Sequence, residues 1–206
     1  MTLLQIDYIK VSQAEGNEPP YSKADIQECI KHVVDVNWGD KTDIAPDIKM
    51  TMENAGHILG SSSVYMQIGE GKSEHRLLFS GDIKYEKSWL FDAATVRFPK
   101  VDTLVIESTY GGPQSIQPTR HQASQELQDL VSDTLSRKGK IFCPVFAVGR
   151  SQEVMLAIDE LFKSGRVPPV TVWLDGMISE ASAIHSSHPN FLNRELKKSM
   201  LRGGDE

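Results

Sequence analysis

Three short loops carry the side chains whose types and spacing suit metal-assisted chemistry. In Asn54-Ala55-Gly56-His57-Ile58-Leu59-Gly60-Ser61 a histidine stands between glycines. The backbone there can bend sharply and leave the imidazole unshielded, and imidazole is a preferred zinc ligand. In Leu77-Leu78-Phe79-Ser80-Gly81-Asp82 an apolar strand delivers a carboxylate through Ser-Gly; such an aspartate can bind one metal ion or bridge two. In Val105-Ile106-Glu107-Ser108-Thr109-Tyr110-Gly111-Gly112 a strand ends in a carboxylate, two hydroxyls and glycines. Glu107 there has the chemistry to orient a metal-bound histidine through its other ring nitrogen, and Ser108 and Thr109 have the hydroxyls to meet a phosphate. Taken singly, each loop reads more readily as a turn: an idle histidine, an aspartate capping local backbone, a strand end. Their order changes that balance. Asp82 lies 25 residues after His57, a spacing that fits one hairpin returning both groups to the same sheet edge, and Glu107 lies 25 residues further on, after another strand.

The elements that must position these groups follow from periodicity. Leu3, Leu4 and Tyr8 have helical spacing with no cap before them, and Ser22 is an N-cap candidate for a helix with Ile26, Ile30, Val33 and Val34 at helix spacing. Ile48, Met50 and Met52 alternate, as do Val64, Met66 and Ile68, and a turn at 69–73 leads into 76–79; these read as antiparallel strands. Residues 101–107 are mostly apolar and read as a buried strand. Beyond them the pattern changes to a helix after Thr119, a strand at 140–145, a helix at 151–163, a strand at 170–174 and a further helix after Asp175. That alternation implies an α/β layer with parallel strands, with a domain change near residue 140.

Composition sets the frame. The 206 residues suffice for one large domain or one and a fraction of two, and 39% hydrophobic with 24% charged residues permits a core. A net charge of −6 argues against a general electrostatic grip on nucleic acid while leaving room for a local basic groove. Cys29 and Cys143 sit in apolar segments without a C-x-x-C pair and read as buried thiols in a reducing compartment. There is neither a signal-peptide pattern nor an apolar run long enough to cross a membrane, so the chain reads as cytoplasmic.

Four ordered segments, NAGHILGSS, LLFSGDIKY, LVIESTYGG and PVFAVGRSQEVM, resemble successive motifs of the metallo-β-lactamase/β-CASP nucleases, most nearly those of the archaeal cleavage and polyadenylation specificity factor homologues. DYIKV near the start and VWLDGMISEASAIHSSHPNFLN near the end are similar to the same group, so the resemblance spans nearly the whole chain. It implies a partial metallo-β-lactamase αββα sandwich over residues 1–140, followed by the start of an α/β β-CASP domain over 141–206. It implies that His57 ligates one zinc, that Asp82 bridges two, and that Glu107 contacts and orients a zinc-ligating histidine. Residues 146–153 match the opening of the β-CASP domain, and Arg150, at a helix start, is a candidate phosphate contact. The implied activity is zinc-dependent hydrolysis of single-stranded RNA in mRNA 3′-end processing, endonucleolytic or from the 5′ end, by a parent protein expected to be a homodimer. A non-catalytic β-CASP scaffold and a small-molecule hydrolase of the metallo-β-lactamase fold are the alternatives.

The sequence departs from the family pattern in one important way. The His-x-His-x-Asp-His motif and the later β-CASP histidine motifs are absent, for which truncation at both ends is the simplest explanation. His185 and His188 match no such motif and read as helix-end residues; His32, His75 and His121 lack a ligand context. A stable zinc site needs about three or four protein ligands. With His57 and Asp82 alone, the 206-residue chain is expected to bind zinc poorly and to be inactive.

Overall fold

The computed structural model describes residues 1–202, which divide into two compact units at the 37/38 boundary. The first unit is a pair of helices, α1 (Thr2–Ala14) and α2 (Lys23–Lys31). No side-chain hydrogen bond caps α1, as the sequence suggested, whereas α2 starts on a reciprocal capping box. The Asp25 amide donates to Ser22 Oγ and the Ser22 amide donates to Asp25. Ile9 and Ile26 are buried, and Tyr8 stacks on Tyr21 at 5.8 Å.

The second unit is α/β. Its mixed sheet has the order β1 (Lys41–Ala45), β2 (Ile48–Asn54), β3 (Ser62–Ile68), β4 (His75–Phe79) and β5 (Thr103–Val105). β1 to β4 form an antiparallel meander, and β5 joins β4 in parallel. β1 had no clear alternation in the sequence. It is recruited by pairing with β2, with a bulge between Asp43 and Ala45. The helices are α3 (Arg120–Ser136), α4 (Arg150–Lys163), α5 (Ile178–Ser187) and α6 (Arg194–Arg202). Thr119 caps α3 through a capping box with Gln122. One apolar cluster joins Leu90, Phe91 and Leu192 with Leu59 and Leu156. Another joins Val131 of α3, Leu161 of α4 and Val167.

Three expectations are corrected. Residues 140–145 and 170–174 are not strands. No β-strand follows residue 105 among the described residues, and a strand exists only where another pairs with it. Their apolar side chains face outward, with Phe142 and Trp173 each 89% exposed. The strand of 101–107 shortens to β5, and Leu104, Val105 and Ile106 are exposed, because an edge strand with an uncovered face has nothing to bury them. Cys29 and Cys143 are free and exposed. Ile26 is the buried residue of the short helix that carries Cys29, and Cys143 lies in the unpaired 140–145 segment. No helix of the described residues is long and apolar enough to cross a membrane.

Candidate functional site

The sheet direction explains how three distant loops meet. β2 and β4 run the same way because each is antiparallel to β3 between them, and β5 is parallel to β4. The C-terminal ends of all three therefore lie at one edge of the sheet. His57 follows β2, Asp82 follows β4 and Glu107 follows β5.

The His57 turn is held by backbone and short polar side chains. Asn54 Oδ1 accepts from the Gly56 amide at 2.8 Å, while its amide group donates to the carbonyls of Asp92 and Ala93. Ser61 Oγ accepts from the amides of both His57 and Ile58 at 3.1 Å. The Lys84 amide donates to Ala55 O, and the Ala94 amide donates to Lys84 O, each at 2.9 Å. The loops after β2 and β4 are thus stitched together, with Gly56 pressed between them at φ +68°. A Cβ there would stand 2.8 Å from Lys84 O and 2.9 Å from both Ala94 N and Asp92 O, so this position needs glycine for space as well as conformation.

The result is a facing pair. His57 Nε2 lies 3.9 Å from Asp82 Oδ2, with side chains 42% and 71% exposed. That is too long for a hydrogen bond. It lies near the roughly 3.3 Å that separates two ligands about 2.0–2.1 Å from one tetrahedral zinc. An imidazole and a carboxylate so placed fit two ligands of a zinc centre. No group of three or more His, Cys, Asp or Glu among the described residues could hold a metal ion.

Glu107 braces the backbone beside this pair. Its Oε1 accepts from the Ile83 amide at 2.9 Å and its Oε2 from the Thr109 amide at 3.1 Å, so it fastens the backbone next to Asp82. Its own amide donates to the buried Ser80 Oγ. The Thr109 hydroxyl, then the Ile83 amide, hold its carboxyl below the ordinary carboxylate range. Burial opposes them, and the Thr109 amide and His57 add smaller pulls downward.

A cleft of ≈ 750 Å³ opens beside His57. Arg150 lines it; Ser108 and Thr109 are exposed on the neighbouring turn outside its lining, and Thr109 is committed to Glu107. In the GRSQE segment, Ser151 and Gln152 are buried and serve the fold. The Ser151 hydroxyl donates to Ala147 O, Gln152 Oε1 accepts from the Gly149 amide, and Gln152 Nε2 donates to Ala147 O and Ser182 Oγ. Gly149 lies against Ile58, where a Cβ would come within 2.9 Å of Cγ2. The Glu153 carboxylate meets both Lys84 Nζ and Arg150 Nη1 at 3.4 Å. Lys84, two residues after Asp82, and Glu153, three after Arg150, were not singled out from the sequence. Their i+2 and i+3 offsets from the two chosen residues were the available signal.

His185 and His188 stand apart from this pair. His185, in the last turn of α5, is buried with Nδ1 2.7 Å from Ala181 O, and His188 is the C-cap.

Comparison with known proteins adds the family. The chain is 45% identical over 203 residues to transcription termination factor FttA of a Lokiarchaeum species, a match covering 98% of this chain and 32% of that protein. It is 45% identical over 204 residues to FttA of Methanothermobacter thermautotrophicus, covering 99% of this chain and 32% of the relative. To FttA of Methanocaldococcus jannaschii it is 46% identical over 205 residues, covering 100% and 32%. Over nearly its full length, the chain is thus homologous to a segment of the archaeal FttA proteins. FttA is the archaeal cleavage and polyadenylation specificity factor homologue of the metallo-β-lactamase/β-CASP group, the family to which the four motifs pointed. The chain spans about a third of the length of the FttA relatives it matches. No protein-family model matches it.

Proposed function

We propose that this chain forms the part of an FttA-type, zinc-dependent ribonuclease that supplies two metal ligands and one wall of the RNA cleft, in a protein acting at transcription termination and RNA 3′-end formation. The observation that carries this reading is the approach of His57 Nε2 to within 3.9 Å of Asp82 Oδ2 from two separate turns at one sheet edge. The FttA name of its relatives supports the cellular role. In this reading residues 1–140 belong to the metallo-β-lactamase αββα domain and 141–206 open the β-CASP domain.

His57 and Asp82 would hold zinc, Asp82 between two ions. When bound, zinc activates water and offsets the charge that builds on the phosphoryl oxygens. Glu107 is a positioning residue, because it fixes the Ile83 amide beside Asp82. Arg150 offers its guanidinium to a phosphate entering the cleft. Single-stranded RNA is the expected substrate.

A chimera in which this segment replaces the homologous third of an FttA relative tests the assignment. Zinc near two per chain with RNA cleavage is expected, and Asp82→Ala should abolish cleavage while leaving the fold nearly unchanged. Unchanged turnover would remove Asp82 from the mechanism. The second reading is a non-catalytic scaffold. A chimera without zinc or cleavage supports that reading.

A further inference from the structure

The cleft beside His57 presents two aromatic rings that no contact described above explains. Tyr110 is 63% exposed on the turn after β5, and Phe146 is 86% exposed on the segment that leads into α4. Both line the same cleft as His57. Lys84 and Arg150 line it too, and the one carboxylate in the lining, Glu153, is only 14% exposed and already paired with those two cations. In a chain of net charge −6, this cleft lining carries two cations against one carboxylate, with two open rings beside them. Ring faces beside cations make up the chemistry of single-stranded nucleic-acid binding. Unpaired bases stack on the rings and phosphates meet the cations, while the paired bases of a duplex have no free face to offer.

We propose that Tyr110 and Phe146 stack the unpaired bases flanking the phosphate presented to His57 and Asp82, so that the cleft selects single-stranded RNA by ring contact as well as by charge. This rests on the ribonuclease reading above. The rings act on substrate selection rather than on the metal.

The test is binding of a fluorescent single-stranded oligoadenylate to the 206-residue chain in EDTA, where cleavage plays no part, read by anisotropy. Tyr110→Ala and Phe146→Ala should each raise Kd about 5- to 150-fold. Tyr110→Phe and Phe146→Tyr, which keep a ring, should stay near the parent value. A 2-aminopurine in the oligomer should be quenched on binding, and the quenching should weaken in both alanine variants. Both side chains are exposed, so these variants retain the fold. RNA binding that weakens in Lys84→Met and Arg150→Met but is indifferent to both ring deletions overturns the stacking proposal and leaves the RNA reading standing. Duplex RNA bound as tightly as the single strand also overturns it. No RNA binding by the 206-residue chain overturns the stacking proposal, while cleavage by the chimera decides the ribonuclease reading separately.

Discussion

Replacing Gly56 by alanine tests whether the two turns that carry His57 and Asp82 are held together by backbone packing. Two costs apply. At φ +68° an L-residue gives up roughly 1–2 kcal/mol relative to its preferred conformations. The added Cβ would also lie 2.8 Å from Lys84 O and 2.9 Å from Ala94 N and Asp92 O. All three are backbone atoms inside a hydrogen-bonded stitch, so none can rotate aside, and overpacking of that kind costs about 1–3 kcal/mol. The total is about 2–5 kcal/mol, a large fraction of the roughly 5–15 kcal/mol available to a typical domain. Gly60 provides the internal control. It lies on the same loop at φ +74° with nothing within 4 Å of a Cβ, so Gly60→Ala should show the conformational cost alone. Urea denaturation followed by tryptophan fluorescence should place Gly56→Ala about 1–3 kcal/mol below Gly60→Ala. Equal destabilisation by the two substitutions would refute the claim that the turns are packed backbone to backbone.

Other outcomes follow from the same geometry. Glu107 has its folded-state pKa held below the ordinary carboxylate value, so its contribution is present above that ordinary value and is lost as pH falls through the lowered one. The stability gap between the parent chain and Glu107→Gln should be widest near neutral pH and shrink under acid, and a gap constant with pH would contradict this. Lys84→Met should cost about 1–3 kcal/mol, because it strips a partner from Glu153, whose Oε1 is already buried without a hydrogen bond. A double-mutant cycle with Glu153→Gln should show coupling of about 0.5 kcal/mol or more, and strict additivity would remove the pair as a link between the Asp82 loop and α4. Asp82→Asn, with its side chain 71% exposed, should change stability by less than about 0.5 kcal/mol yet, in the FttA chimera, weaken zinc binding measured by calorimetry. Unaltered zinc affinity would dissociate this carboxylate from the metal.

The meander was legible in the sequence from its apolar-rich runs separated by turn residues, although the fully buried positions of β3 are Ser63 and Tyr65 rather than the alternating Val64, Met66 and Ile68. Helices α2, α3 and α4 were legible from caps and apolar spacing around Ser22, Thr119 and 151–163. Strand β1 was not, since Lys41–Ala45 owes its form to the Ile48–Asn54 strand beside it. Residues 140–145 misled for the opposite reason: their β-forming composition is local, whereas pairing requires a neighbour.

The identities of His57, Asp82 and Glu107, their order and their even spacing were written in the chain, because donor chemistry belongs to the side chain and turn propensity to its immediate neighbours. The 3.9 Å approach of imidazole to carboxylate, the grip of Glu107 on the Ile83 amide, and the joining of Lys84 to Glu153 were decided by the folded molecule. Those relations depend on strand direction and on backbone hydrogen bonds between segments far apart in sequence, which no local pattern of residue types encodes.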